Sequence, residues 1–252
     1  MRLLIDLDPG DPRWGLAADE ALLESARGGA PDTLRLWVND RAAIVGRSQA
    51  IEDEVDRAFA DREGIPVLRR ISGGGAVYHY SGNLNLSVIL HDARAVGSVA
   101  EAFRAFGGAA AEALADAWPR VSFADNDLLI GAAKVGGAAQ SRRGGALLYH
   151  TTVLVRPVGI PMERVLLALR PDYRPARVPS RPRATVSLSE VTDRDLSMAD
   201  VAARLAPAMA RRLGTSLVPA PLTHEEEARV DRLAKTKYND PGWNRSARTT
   251  NA

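Results

Sequence analysis

The chain has 252 residues, 46% of them hydrophobic, with 33 Lys plus Arg against 31 Asp plus Glu. That is enough apolar material for one substantial core, and an excess of two positive charges does not make a nucleic-acid-binding face. The absence of cysteine excludes thiol nucleophiles, disulfides, Cys-type zinc sites and iron–sulfur ligation.

The first residues, MRLLIDLDPGDPRW, carry Asp6, Asp8 and Asp11, and their apolar stretch is too short for a signal peptide. Asp11-Pro12 reads as a helix N-cap followed by proline at the first helical position, with GLAADEALLESAR as the helix and Gly28-Gly29 as its stop. Short β-rich runs follow at 33–38, 42–46, 67–70, 76–80 and 84–90, separated by turn residues. An amphipathic helix is expected over roughly 97–117. Its Glu101, Arg104, Glu112 and Asp116 argue against a membrane span, so a cytoplasmic protein is expected. Strand signals resume at 127–131, 133–140 and 146–155, with Gly144-Gly145 as a hairpin turn. The proline- and arginine-rich stretch 169–183 reads as a loop. Two helices are expected at about 197–213 and 222–237, after which the chain is expected to trail into polar residues. The reading is an α/β (α+β) fold, with mixed, largely antiparallel sheets flanked by helices, in a single domain over 1–252.

Two segments carry chemistry. In Arg69-Arg70-Ile71-Ser72-Gly73-Gly74-Gly75-Ala76-Val77-Tyr78-His79, three glycines allow main-chain N–H groups to converge on an anion, beside the guanidinium of Arg70 and the hydroxyl of Ser72. A glycine-rich hairpin with exposed arginines would use the same residues. No P-loop, dinucleotide fingerprint or G-x-S-x-G elbow occurs, and His79, His91, His150 and His224 show no metal-ligand spacing. The second segment runs from Asp125 to Gln140 and contains Lys134, one of only three lysines. Ahead of Gly136-Gly137 its ammonium could meet a carboxylate and a phosphate, although an exposed strand lysine fits the sequence equally.

Taken together, RRISGGGAVYHYSGNLNLS (69–87) and AAKVGGAAQSRRGGALLYHTTVLV (132–155) resemble the two motifs of the lipoate–protein ligase A family, in the biotinyl/lipoyl ligase superfamily. Weaker echoes at 33–49, 181–188 and 237–244 extend the likeness over nearly the whole chain. The resemblance implies the class II synthetase-like fold of that superfamily and an ATP-dependent ligase with lipoate or octanoate as the acid. It implies Lys134 as the catalytic lysine at the acid's carboxylate and the α-phosphate. It implies Arg70, Ser72, Gly73, Gly74, Gly75, Ala76, Val77, Tyr78 and Lys134 at ATP and lipoyl-AMP, and His79, Asn83, Lys134, Gly137, Ala138 and His150 around the lipoyl group. Magnesium is implied with ATP, its ligands unassigned, and an apo lipoyl-domain protein is implied as acceptor, with Arg142, Arg143 and the arginine loop as complementary charge. The chain departs from the family pattern at Tyr80, where an Asp is usual, and at Ala133. It ends shortly after Trp243-Asn244, which implies a separate accessory subunit. Relatives that transfer octanoyl groups through a cysteine acyl-enzyme are disfavoured by composition, which leaves a cysteine-independent octanoyl/lipoyl transferase as the alternative enzyme. Biotin ligases are disfavoured by the loop sequence, and a non-catalytic carrier-binding homologue by the retention of Lys134 and Arg70.

Overall fold

The computed structural model describes residues 1–118 and 120–249. Strand β1 (Arg2–Gly10) leads into helix α1 (Pro12–Arg27) and then β2 (Thr33–Asn39) and β3 (Ala42–Val45). Short helices α2 (Ile51–Glu54) and α3 (Arg57–Arg62) precede β4 (Val67–Arg69), β5 (Val77–His79) and β6 (Asn83–Leu90). Helix α4 (Val99–Ala115) is followed by β7 (Val121–Ala124), β8 (Asp127–Ile130), β9 (Ala133–Arg143) and β10 (Ala146–Leu154). The chain closes with α5 (Leu188–Thr192), α6 (Met198–Arg212), β11 (Val218–Pro219), α7 (His224–Leu233) and α8 (Pro241–Ser246).

The expected mixed α/β architecture is present. Eight strands form one sheet in the order β11-β1-β2-β6-β10-β9-β8-β7, and β4-β3-β5 form a second. In the large sheet β11, β1 and β2 are parallel and the remaining pairings antiparallel. Side-chain alternation divides the large sheet cleanly. Leu34, Leu36, Leu84, Leu86, Val88, Leu147, Tyr149 and Val153 face the alanine-rich α4 and α6 in the largest apolar cluster. The opposite face carries two rungs set by register. Arg35, Ser87, His150 and Ala139 are consecutive partners across four strands, and Trp37, Asn85 and Thr152 across three.

Local signals explain the helices. Asp11 caps α1 by accepting from Arg13 N at 2.8 Å, with Pro12 in the first turn. Capping boxes open α4 (Ser98/Glu101), α6 (Ser197/Asp200) and α7 (Thr223/Glu226). Both expected glycines turn the β9–β10 hairpin, with φ of +53° at Gly144 and +86° at Gly145.

The C-terminal expectation is corrected. Residues 237–246 do not trail away: Ala234–Tyr238 form one π-helical turn and Pro241–Ser246 form α8. Tyr238 and Trp243 are buried against α1 and the small sheet, so two aromatic rings outweigh the polar residues around them.

Candidate active site

The glycine run between β4 and β5 is organised by two buried arginines with different tasks. Arg69 donates to the carbonyls of Gly46, Arg47 and Gln49 at 2.7 to 3.0 Å, and to Asn244 O and Arg245 O at 2.9 Å. Asn244 Oδ1 accepts from Arg69 N, and Trp243 Nε1 donates to Arg69 O, both at 3.0 Å. Arg69 thereby ties the base of the loop to α8. Arg70 curls back over the run itself. Its Nε reaches Ser72 Oγ at 3.0 Å, and its Nη2 donates to Gly73 O at 2.6 Å and Gly75 O at 2.8 Å. Among the described residues no carboxylate pairs with Arg70, and burial pulls its guanidinium down to about 10.

Beneath this loop runs a buried polar chain. Ser72 Oγ and His150 Nε2 are 2.6 Å apart, and His150 Nδ1 is 3.3 Å from Asp19 Oδ2. Asp19 also takes Arg35 Nη1 at 2.8 Å and Ser87 Oγ at 2.8 Å, while Trp37 Nε1 donates to Ser87 Oγ at 3.1 Å. Burial opposes ionisation of Asp19, but the hydrogen bond from His150 and the charge of Arg35 outweigh it and hold the carboxyl below its ordinary range. His79 takes the other extreme. Burial, with the charges of Arg70 and His150 adding to it, pushes its imidazolium down to about 3, so the ring is neutral.

Two adjoining cavities open on this framework. The larger, about 290 Å³, is walled by Leu16, Trp37, Ile44, Arg70, His79 and His150, and its other lining includes Gly74 to Val77, Asp125 to Asp127, Gly137 and Ala138. The smaller, about 70 Å³, is lined by Tyr78, Asn83, Leu154, Met162, Leu166 and Leu169 among others. Ala76, Val77, Lys134, Thr152, Ser180 and Arg181 line both. Lys134 therefore stands where the two chambers meet. Its ammonium is 2.7 Å from Asp127 Oδ1, and Arg183 approaches Asp127 Oδ2 at 3.3 Å and Asp125 Oδ2 at 2.8 Å. Glycine at position 137 leaves room for this ammonium, since a Cβ there would come within 2.7 Å of Lys134 Nζ and push it aside.

The arginine loop closes the roof. Ser180 Oγ accepts from Ala76 N at 2.8 Å and from Gln49 Nε2 at 3.1 Å, and donates to Glu54 Oε2 at 2.6 Å. Tyr173 Oη donates to Glu54 Oε1 at 2.6 Å, and burial together with that carboxylate pushes the phenol up to about 12. Downstream, Lys134 N donates to Ala184 O at 2.8 Å and Val186 N to Lys134 O at 3.0 Å, pairing the end of the loop with β9.

Of the residues singled out in sequence, the structure gathers Lys134, Arg70, Gly74 to Val77, His79, Gly137, Ala138 and His150 around the larger chamber. Tyr78 and Asn83 line only the smaller one. Ser72 and Gly73 line neither chamber and support the loop from behind. Arg142 and Arg143 are engaged internally. The first donates to Gly97 O and Ser98 O, the second to the buried Glu20, which also holds Lys237 and Tyr238. Sequence reasoning missed Asp19, Glu54, Asn39, Asn85, Asp127 and Ser180. The adjacent charges Asp19-Glu20 between the apolar runs Leu16-Ala17-Ala18 and Ala21-Leu22-Leu23 of α1 were the available signal.

The model of the lipoyl protein ligase A/B catalytic domain matches residues 11–210. Lipoate-protein ligase A subunit 1 of Thermoplasma acidophilum is 32% identical over 96% of this chain and 95% of its own length. Octanoyltransferase LipM of Symbiobacterium thermophilum is 31% identical over 91% and 92%. A crystal structure of lipoate-protein ligase A bound with ATP superposes with a TM-score of 0.82 at 31% identity, covering 97% of this chain and 98% of that one.

Proposed function

Because the chain belongs to the lipoyl protein ligase A/B catalytic-domain family, we propose that it is a lipoate–protein ligase. It joins lipoate to the α-phosphate of ATP, with pyrophosphate leaving, and then passes the lipoyl group to a lysine of an apo lipoyl domain, with AMP leaving. The observation that carries this reading is Lys134 at the junction of the two chambers.

A chamber with Leu16, Trp37 and Ile44 in its wall suits an acyl chain. The smaller, more apolar chamber, with Tyr78, Asn83 and Leu154 among its lining, suits a nucleobase. At the junction the ammonium of Lys134 exchanges part of its contact with Asp127 for the acid's carboxylate and the α-phosphate. It thereby holds the attacking oxygen in place and offsets charge as the new bond forms. Arg70, buried without a carboxylate, adds a fixed positive potential. The main chain from Gly74 to Tyr78 forms the wall against which ATP and the acyl-adenylate lie. His79, His150, Gly137 and Ala138 border the acyl chain.

Magnesium chemistry fits only in part. Among the described residues no three His, Asp or Glu side chains gather to hold a metal. Asp125 and Asp127 on the cavity wall are the oxygen donors such an ion would meet, the phosphates and water supplying the rest; when bound, it neutralises charge on the departing pyrophosphate. The Thermoplasma relative is named as subunit 1, which supports a separate accessory subunit here as well.

A second reading, octanoyl transfer between carrier proteins, is favoured by the LipM likeness. The chain has no cysteine, and the nucleophile–base–carboxylate series Ser72–His150–Asp19 lies behind the loop, where Ser72 borders neither chamber.

Purified protein with ATP, magnesium, lipoate and an apo lipoyl domain, with and without an accessory subunit, is expected to raise the acceptor's mass by one lipoyl group. Lys134→Ala is expected to lose adenylate formation while keeping its circular dichroism. Transfer from an octanoyl carrier without ATP, or an active Lys134→Ala variant, would overturn the reading.

A further inference from the structure

His79 is fixed in one tautomer by a neighbour with no other evident task. Asn39 Nδ2 lies 2.9 Å from His79 Nδ1, and both residues are buried. An amide NH₂ only donates, so Nδ1 accepts and the ring proton of this neutral imidazole is on Nε2. The opposite amide orientation would bury an unpartnered NH₂ where Asn39 Oδ1 now lies without a partner. Orphaned donors are rarer than under-satisfied acceptors, which favours the orientation observed. Glycine at position 15 makes room for this contact, since a Cβ there would meet Asn39 Oδ1 at 2.3 Å and the Trp37 ring at 2.5 Å.

His79 Nε2 makes no hydrogen bond among the described residues, yet it is not one of the fully enclosed unpartnered atoms, which are Arg13 Nε, Asn39 Oδ1, Asn83 Oδ1 and Tyr149 Oη. It therefore reaches open space, and the open space that His79 borders is the larger chamber. Strand order fixes where along the chamber this happens. His79 packs edge-on against Trp37, their ring centres 6.1 Å apart. Trp37 is on β2, three strands from β9, which carries Lys134. At one strand spacing per step that is about 14 Å; the Lys134 ammonium lies over Gly137 of its own strand, where a Cβ would meet it at 2.7 Å, so the span falls to an extended eight-carbon acid whose carboxylate rests on that ammonium. An acid with its carboxylate at Lys134 thus brings its far end to His79.

We propose that His79, held by Asn39 as the Nε2–H donor, reads the far end of the acid and selects lipoate over octanoate. This inference rests on the acyl-chamber assignment above. The dithiolane ring presents sulfur, a weak acceptor, to the N–H, whereas the alkyl end of octanoate covers the N–H and leaves it unpaired. A buried unpaired donor is disfavoured, so a preference on the order of tenfold follows. Asn39 is a positioning residue and His79 the specificity residue.

Direct binding tests this without requiring turnover. Calorimetric titration with lipoate and with octanoate is expected to give dissociation constants differing on the order of tenfold in favour of lipoate. His79→Phe, which keeps a ring but no N–H, is expected to bring that ratio close to one. Asn39→Asp, whose carboxylate accepts from Nδ1–H and turns Nε2 into an acceptor, is expected to do the same. The ¹⁵N signals of His79 are expected to report Nε2 protonation in the wild type and Nδ1 protonation in Asn39→Asp, a signature that a merely structural role would not move. Equal affinities in the wild type, no binding of either acid, or a lipoate preference kept by His79→Phe would each overturn the proposal. Pyrophosphate release from ATP is followed in parallel. Selective binding without release would sink the ligase reading and leave this inference standing.

Discussion

Ser180 Oγ accepts from the Ala76 N–H of the glycine run and donates to the buried Glu54. One hydroxyl thus joins the arginine loop, α2 and the wall shared by both chambers. Gly75 is packed so closely beneath it that a Cβ would meet Ser180 Oγ at 2.7 Å. Ser180→Ala leaves the Ala76 N–H and one oxygen of Glu54 short of a partner, which costs about 1–3 kcal/mol. Urea denaturation is expected to show that loss, and the KM for ATP is expected to rise severalfold because the loop lines both chambers. A variant within about 0.5 kcal/mol of wild type would contradict this account. Lys134 and the glycine run were legible in the sequence because each stands out locally, the lysine by rarity and the glycines by density. Asp19, Asn39, Glu54 and Ser180 were not, because each acts through a partner at least sixteen residues away. A buried Glu in a four-residue helix reads in sequence as an ordinary solvated charge.

The same division holds for whole elements. β2, β6, β9 and β10 were legible because their apolar residues alternate or run unbroken; β1 alternates as well, through Ile5-Asp6-Leu7-Asp8, but its acids drew attention only as too polar for a signal peptide. β8 was expected at 127–131, but its partner β7 and the turn joining them escaped, although Asp125 and Asn126 at φ of +53° and +67° form the kind of turn these residues favour. Helix α8 escaped because its stabilisation is tertiary. It is six residues long, and what holds it is Trp243, wedged against Tyr238 with Lys237 Nζ 3.9 Å from its ring centre. Trp243→Ala removes that ring and the donor to Arg69 O, with an expected loss of about 3–5 kcal/mol by chemical denaturation. Because Arg69 ties α8 to the turn at residues 46–49 and to the glycine run, proteolysis of the folded variant is expected to cut first within residues 69–76. Cleavage confined to other loops would show that α8 does not brace the site.

At the scale of the molecule, the large sheet lays out the site by register and the helices exclude water from it. One consequence is a coupling between acid stability and the acyl chamber. His79 titrates at about 3 in the folded protein against 6.5 ordinarily. A depressed folded value means that the unfolded chain takes up the proton first. The stability His79 contributes is therefore complete above pH 6.5 and is lost as pH falls from there toward about 3. One proton accounts for about 1.4 kcal/mol per pH unit, so about 3 kcal/mol is expected to go between pH 6.5 and about 4.5. The carboxylates held below their ordinary values, Asp19, Asp56 and Glu226, act in the same direction but lower, since their ordinary values are 3.8, 3.8 and 4.5. His79→Gln separates the two contributions, because it keeps a polar side chain that does not titrate while leaving every carboxylate in place. Unfolding free energies from urea titrations at about pH 7 and about pH 4.5 are expected to fall more steeply for wild type than for His79→Gln, by about 3 kcal/mol across the interval. Parallel lines for the two proteins would mean that His79 carries its proton in the folded state, and that the chamber wall beside Trp37 is wetter than its burial implies.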